Sequence, residues 1–274
     1  MTGADALLAA TGAVLGLIVG SFLNVVAHRL PQGASVVYPA SACPQCGHRL
    51  RPWENIPLVS YAALRGRCRG CGSRIPLYYP VTEALTGLAT AVAAVAAGPG
   101  WILLPALVWT WLLIALARID LDTQLLPNRL TLPLGALGLG LSALALVTPV
   151  LMQPPVPAMP PPLGSLIGAA LGYGILFLAA WGYYLATGRE GLGGGDLKLL
   201  GAMGAWIGPV AVPLALFLAA VLGSLVGGAL MLLRGGGRHL AIPFGPFLAA
   251  AGWVLFFWKD TIIRWYFGLS GLSG

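Results

Sequence analysis

Charged residues are scarce in this chain. Asp, Glu, Lys and Arg make up 8% of the 274 residues, 58% are apolar, and the mean hydropathy is +0.87. A water-soluble domain carries about 25% charged residues. The scarcity therefore excludes an ordinary soluble protein and indicates one that crosses a membrane several times. The net charge of +7 does not indicate nucleic-acid binding, because the basic residues lie in loops between apolar segments.

Several familiar signatures are also absent. The chain contains no His-Glu-x-x-His zinc motif and no Gly-x-Ser-x-Gly elbow, which leaves a metalloprotease and a serine hydrolase without support. No Lys or Arg precedes the first apolar run, so Leu7 to Ala27 is interpreted as a retained membrane span and not as a cleaved signal peptide. No internal repeat of the kind common in transporters is visible.

The apolar runs predict an all-α polytopic membrane protein with about eight transmembrane helices, since about 20 apolar residues cross a bilayer as a helix. The sixth run is too short to cross alone, and Gly208-Pro209 separates it from the seventh, so these two are alternatively one broken helix. The predicted spans lie near residues 6–27, 82–98, 101–118, 130–150, 164–186, 196–208, 210–233 and 241–258.

The positions of Lys and Arg predict the orientation. Under the eight-span interpretation, thirteen of the fifteen basic residues fall on one side, and only Lys259 and Arg264 fall on the other. Because basic loops stay in the cytoplasm, the first loop is predicted to be cytoplasmic and both termini outside. The carboxylates of Asp120, Asp122 and Asp196 then lie toward the cytoplasmic ends of their helices.

All four cysteines lie in the predicted cytoplasmic insertion between the first two spans. They form two Cys-x-x-Cys pairs, Cys43 with Cys46 and Cys68 with Cys71, each followed by a glycine that favours a tight turn. This spacing predicts a four-thiolate zinc site, and a reducing compartment argues against the alternative of disulfides. The zinc is expected to be structural, because four thiolates leave no coordination position for a substrate. His48 is an alternative ligand.

Aspartates next to apolar spans carry the predicted chemistry. An ionisable side chain at membrane depth costs roughly 2.5 to 3.5 kcal/mol, so it is taken to be functional unless it is a helix cap or a surface charge. Asp120 and Asp122 end the third span, and Asp196 follows Gly193-Gly194-Gly195. Two facing aspartates share one proton and supply both a general base and a general acid. The pattern thus predicts an aspartic protease.

Neighbours of these aspartates have predicted roles of their own. Because glycine has no side chain, the backbone at 193, 194 and 195 is uncovered, which allows an extended substrate peptide to approach. Lys198 either pairs with a carboxylate or is an interfacial basic residue. Asp196 lies near a helix start, where the helix dipole stabilises negative charge.

An ordered set of motifs resembles the bacterial type IV prepilin peptidases, the bifunctional leader peptidases and N-methyltransferases of pilin and type II secretion systems. The similarity covers nearly the whole chain. Its motifs are Gly20-Ser-Phe-Leu-Asn-Val-Val-Ala-His-Arg-Leu-Pro31, the two cysteine pairs enclosing Glu54-Asn-Ile-Pro-Leu-Val-Ser-Tyr61, Leu64-Arg-Gly-Arg-Cys68, Tyr79-Pro-Val-Thr-Glu-Ala-Leu85, Ile119-Asp-Leu-Asp122 with Leu126-Pro-Asn128, and Glu190-Gly-Leu-Gly-Gly-Gly-Asp-Leu-Lys-Leu-Leu200.

The resemblance implies which residues act. In such enzymes the catalytic pair is an Asp seven residues before the Leu-Pro proline and the Asp of a Gly-x-Gly-Asp motif; here these are Asp120 and Asp196. Asp122 and Lys198 become residues that tune the pair. The implied domains are a first helix over 1–27, a zinc-binding insertion over 28–81 and a transmembrane peptidase domain over 82–274.

The resemblance also implies substrate, cofactor and location. The substrate would be a membrane-embedded prepilin or pseudopilin, cut after a glycine that ends a short basic leader at the cytoplasmic face of the bacterial inner membrane. The new N-terminus would be methylated with S-adenosylmethionine. The family usually has Arg-Tyr-Pro where this chain has Tyr78-Tyr79-Pro80, so one positive charge is missing. No glycine-rich Rossmann signature marks a site for the methyl donor.

Two other interpretations compete. The presenilin and signal-peptide-peptidase group also uses Gly-x-Gly-Asp but expects a Tyr-Asp pair, which this chain lacks, and a later Pro-Ala-Leu, which here comes earlier, at 105–107. A non-enzyme alternative is a transporter or zinc-containing assembly factor that uses Asp120 and Asp196 as an ion relay.

Overall fold

The computed structural model describes residues 2–147, 159–189, 191, 193–234 and 242–269. Within these ranges the protein is built from helices without strands, which confirms the all-α prediction. The helices are α1 (Gly3–Arg29), the 3-10 turn η1 (Pro52–Asn55), α2 (Val59–Ala63), α3 (Tyr78–Ala97), α4 (Leu103–Thr123), α5 (Asn128–Val147), α6 (Pro162–Thr187), α7 (Gly194–Ile207), α8 (Ala211–Arg234) and α9 (Gly245–Leu269).

Six of the described helices are long and apolar enough to cross a membrane, so the predicted count of eight spans is not confirmed. Helix α7 has 14 residues and is about 21 Å long, whereas the hydrocarbon core is about 30 Å thick. It ends at Gly208, whose φ of 79° separates it from α8. The end of the predicted fourth span and the start of the eighth lie outside the described residues. The six helices cover Gly3–Arg29, Tyr78–Ala97, Leu103–Thr123, Pro162–Thr187, Ala211–Leu233 and Gly245–Trp265.

The chain divides into two compact units, residues 1–119 and 120–274, which are described separately. In the first unit, α1 packs closely against α3 because glycines on α1 face threonines on α3. A Cβ atom on Gly16 would lie 2.6 Å from the Thr90 hydroxyl oxygen. That hydroxyl donates to the Thr86 carbonyl 2.6 Å away, so its polar group is satisfied within the helix.

In the second unit the short helix α7 forms the centre. Leu199, Leu200, Met203 and Trp206 are fully buried, and the Trp206 indole N–H donates to the Leu134 carbonyl on α5 at 2.7 Å. Helix α7 is surrounded by other helices, so its backbone and side chains need no contact with lipid. This position explains how a helix too short to cross the membrane fits into the fold.

The distribution of side chains is that of a membrane protein. Polar groups such as Thr110 and Ser165 are fully buried, while large apolar side chains on the outer helices are exposed, for example Leu225 and Leu232 on α8. Exposed apolar patches of this extent are unfavourable in water but favourable against lipid. The exposed surface of these helices therefore fits a bilayer.

Candidate active site and metal centre

Asp120 lies in the last turn of α4, near the short loop that leads to α5. Its side chain is buried, with 4% of the residue exposed, and its Oδ2 accepts the backbone N–H of Gly245 at 3.0 Å. Gly245 begins α9, 125 positions along the chain. A helix N-terminus offers free N–H groups and the positive end of its dipole, so this carboxylate is held where negative charge is stabilised.

Asp196 lies in the first turn of α7, directly after the glycine run. The helix begins at Gly194, and the Asp196 N–H donates to the Gly193 carbonyl at 3.1 Å. The predicted position near a helix start is therefore confirmed. Its carboxylate is partly buried and lies within electrostatic range of Asp120.

The two aspartates are connected through Leu126. A Cβ atom on Gly195 would lie 2.9 Å from the Leu126 Cβ, and one on Gly245 would lie 3.4 Å from its Cδ1 and 2.5 Å from Asp120 Oδ2. Glycine is therefore required at both positions, because any side chain would displace Leu126 or the carboxylate. The structure brings Asp120, Asp196 and Gly195 to one place in the second unit.

The neighbouring polar residues are placed differently. Asp122 is exposed, two residues beyond the buried Asp120, as expected for helix positions that point in different directions. The Lys198 ammonium group donates to the Asn128 side-chain oxygen at 2.9 Å. This contact ties the start of α7 to the start of α5. Gly193 and Gly194 are exposed at the entrance of α7, and a Cβ on Gly193 would lie 3.6 Å from Asp196 Oδ2.

The four cysteines converge in the first unit. Their sulfur atoms all lie within 4.8 Å of one another, and the Cys43–Cys71 and Cys46–Cys68 sulfurs are each 3.9 Å apart. In a tetrahedral site with Zn–S bonds of about 2.3 Å, the sulfurs are about 3.8 Å apart. The donor set therefore fits zinc.

Each cysteine pair sits in a turn of the same design. Gly47 and Gly72 have φ values of 71° and 72°, and they donate to the Cys43 and Cys68 carbonyls at 2.9 Å. This confirms that the glycines permit the tight turns. An isolated antiparallel bridge closes each turn, between Ala42 and Arg49 in the first and between Arg67 and Arg74 in the second.

Glu54 connects the two turns. It is buried and accepts His48 Nε2 at 3.0 Å and the Arg51 N–H at 3.0 Å, and Arg69 Nε lies 3.6 Å away. The Arg51 N–H and then the His48 imidazole hold the pKa of this carboxyl below its usual range. His48 is thus engaged by Glu54, and the four sulfurs form the donor set without it.

Some of these contacts could not be found by motif spacing. Gly245 is far from Asp120 in sequence, and the only local signal is a glycine followed by a proline at the start of an apolar run. The Arg118 guanidinium lies 4.3 Å from the centre of the Tyr78 ring. Only the packing of α3 and α4 reveals this contact.

Fold and site together define a class: a helical, multi-pass membrane protein with two neighbouring aspartates at helix ends in one unit and a four-cysteine cluster in the other. Residues 14–97 match the bacterial peptidase A24 N-terminal domain, and residues 107–228 match the type IV leader peptidase family. The chain belongs to the type IV leader peptidase family.

Several relatives named prepilin leader peptidase/N-methyltransferase match nearly the full chain. The protein of Aeromonas salmonicida is 42% identical over 92% of this chain and 91% of its own. The protein of Pseudomonas aeruginosa is 41% identical over 95% and 93%, and that of Neisseria gonorrhoeae 38% over 92% and 91%. No solved structure matches the chain significantly.

Proposed function

We propose that this chain is a prepilin leader peptidase and N-methyltransferase in which Asp120 and Asp196 form the proteolytic pair. The main observation in support is that the buried Asp120 on α4 and the partly buried Asp196 on α7 lie close enough to interact electrostatically. The names of the relatives at about 40% identity supply the substrate class, a prepilin, and the second activity.

The pair suits aspartyl chemistry because two carboxyl groups at close range cannot both ionise. One carboxylate then takes a proton from the attacking water, and the other carboxylic acid protonates the leaving amine. The Gly245 N–H to Asp120 favours the ionised form of that carboxyl. We therefore assign Asp120 the role of base and Asp196 the role of acid in the first step.

Substrate approach is assigned to the glycines at 193, 194 and 195. Gly193 and Gly194 are exposed, and Gly194 has no atom within 4 Å of where a Cβ would lie. An extended peptide can therefore come close to the backbone beside Asp196. We assign Asp122 and Lys198 to tuning and positioning, Lys198 through its bond to Asn128.

The cofactors are a structural zinc ion and S-adenosylmethionine. Zinc would be held by Cys43, Cys46, Cys68 and Cys71 and would stabilise an insertion too small to form a large core of its own. The methyl donor follows from the N-methyltransferase name of the relatives. We assign the first transmembrane helix to residues 1–27, the zinc-binding insertion to 28–81 and the transmembrane peptidase domain to 82–274.

The location is the bacterial inner membrane, with the insertion and the aspartates toward the cytoplasm and both termini outside. The support is the concentration of thirteen basic residues on one side of the predicted spans. A basic prepilin leader also lies in the cytoplasm under this arrangement, next to the aspartate pair.

The test is cleavage of a basic-leader prepilin by the full-length chain in liposomes with zinc present. Asp120→Asn and Asp196→Asn are each expected to lower the cleavage rate about a hundredfold or more, because each removes one partner of the proton transfer. Asp260→Asn is the matched control, since it makes the same change at an exposed position of α9 that has no role in the proposed site. It is expected to cleave within about tenfold of wild type.

Cleavage at the wild-type rate by either Asn variant would contradict the assignment. Thermal unfolding of each variant separates loss of chemistry from loss of fold. Uptake of an ion that depends on both aspartates, without proteolysis, would instead favour the ion-relay alternative.

A further inference from the structure

A cavity of about 290 Å³ lies in the first unit, apart from the aspartate pair. Its walls come from the C-terminal end of α1, the cysteine-containing insertion and the first turns of α3. Small-molecule sites begin at about 300 Å³. The volume of the cavity lies at the lower end of this range and suits a small ligand.

Asn24 on α1 is an unsatisfied group in the cavity wall. Only 6% of the residue is exposed, and its Nδ2 donates to the Tyr79 carbonyl at 3.2 Å. Its Oδ1 is buried and accepts no hydrogen bond from the residues that the structure describes. A buried acceptor without a donor costs about 1 to 3 kcal/mol, so this oxygen is suited to receive a donor from a ligand.

Glu83 on α3 adds a carboxylate to the same wall. It is 9% exposed, and its Oε2 accepts the Leu58 N–H at 2.8 Å. A carboxylate in such a place attracts a cationic group of a ligand, such as a sulfonium or an ammonium.

The other residues that line the cavity can bind a carboxylate and a purine, the remaining groups of a nucleoside that carries an amino acid. Arg29 and Arg74 line the cavity and can pair with a carboxylate. Tyr78 and Tyr79 also line the cavity; Tyr78 is engaged by Tyr79, with ring centroids 4.6 Å apart, and by Arg118, so Tyr79 is the aromatic residue that can contact a purine.

We propose that this cavity binds the methyl donor, S-adenosylmethionine, with Asn24 and Glu83 as its polar anchors. The inference rests on the proposed N-methyltransferase function. The ligand carries a sulfonium, an ammonium, a carboxylate and a purine, and the cavity presents a carboxylate, an unsatisfied acceptor, arginines and aromatic rings. A basic leader peptide is the competing occupant, but it would bring further positive charge beside Arg29 and Arg74.

The test is equilibrium binding of S-adenosylmethionine to the zinc-loaded full-length chain in detergent. Asn24→Leu and Glu83→Gln preserve size and are each expected to weaken binding about tenfold or more. The matched control is Thr90→Val, a buried polar residue on the same helix α3 that does not line the cavity, which is expected to stay within about twofold of wild type. Zinc content and thermal unfolding check the fold of each variant.

Wild-type affinity in both cavity variants would overturn the proposal, as would loss of basic-peptide binding with donor binding intact.

If the variants do not fold, photochemical cross-linking of labelled S-adenosylmethionine to the wild-type chain tests the proposal instead. Label on peptides 18–29 or 75–83 supports the cavity, and label only within 120–269 overturns it. Leader cleavage by the same preparation shows whether the proposed function holds independently of donor binding.

Discussion

At the scale of single residues, the aspartate pair depends on a glycine that carries no chemistry. Gly245 donates its N–H to Asp120, and a Cβ there would lie 2.5 Å from the accepting oxygen. Contacts under about 3.0 Å force something to move. Gly245 thus constrains the position of the Asp120 carboxylate, although it takes no part in the proton transfer itself.

Gly245→Ala is therefore expected to lower leader cleavage about tenfold or more, because the methyl group would displace the Asp120 carboxylate from its position. The measurement is the cleavage rate of a prepilin in liposomes. Gly140→Ala is the control in the same unit, since a Cβ at that position on α5 meets no atom within 4 Å. Equal rates for the two variants would show that the close approach at Gly245 has no role in cleavage.

At the scale of helices, the crossing of α6 and α7 determines where Asp196 is held. A Cβ on Gly168 would clash with the Gly204 carbonyl oxygen, and one on Gly172 with that of Leu200. The Ser165 hydroxyl donates across the same contact to the Ala205 carbonyl at 2.6 Å. Small residues allow two backbones to meet, which is how helices associate without a hydrophobic driving force between them.

Gly168→Ala is expected to lower the free energy of unfolding by about 1 to 3 kcal/mol, the usual cost of overpacking. Gly174→Ala on the same helix is expected to be neutral or to stabilise by up to about 1 kcal/mol, because its position is open and alanine favours helix. Unfolding of both variants in mixed detergent measures the difference. A loss of stability at Gly174 equal to that at Gly168 would contradict the role of the crossing.

At the scale of the whole molecule, the four-cysteine cluster and the aspartates belong to different compact units. The four cysteines lie within residues 1–119, and both aspartates lie within 120–274. The Arg-rich insertion has little regular structure besides η1 and α2. Its order is therefore expected to depend on the metal.

Removal of zinc by a chelator is expected to open residues 43–74 to trypsin at their arginines, while the helices from α5 to α9 remain protected. Limited proteolysis with mass mapping measures this, and added zinc should restore protection. Cys43→Ser should show the cleaved pattern without chelator. An unchanged pattern after verified zinc loss would show that the insertion does not need the metal.

The sequence by itself determined the helical membrane architecture, the four-cysteine centre and the candidate carboxylates. These depend on local patterns: apolar runs of bilayer length, Cys-x-x-Cys spacing with a following glycine, and aspartates at the ends of apolar segments. The number of spans was not confirmed, since neither α5 nor α7 is among the six described helices that are long and apolar enough to cross a membrane. Helix α7 is buried by other helices, and local hydropathy does not reveal that position.

Only the tertiary structure decided which groups meet. It buried Asp120 and exposed Asp122, joined Asp120 to Gly245 across 125 positions, and engaged Lys198 with Asn128 and His48 with Glu54. It also formed the cavity around Asn24 and Glu83. The physical reason is that burial and hydrogen bonding depend on packing between distant helices, whereas spacing along the chain specifies only which residues are available to pack.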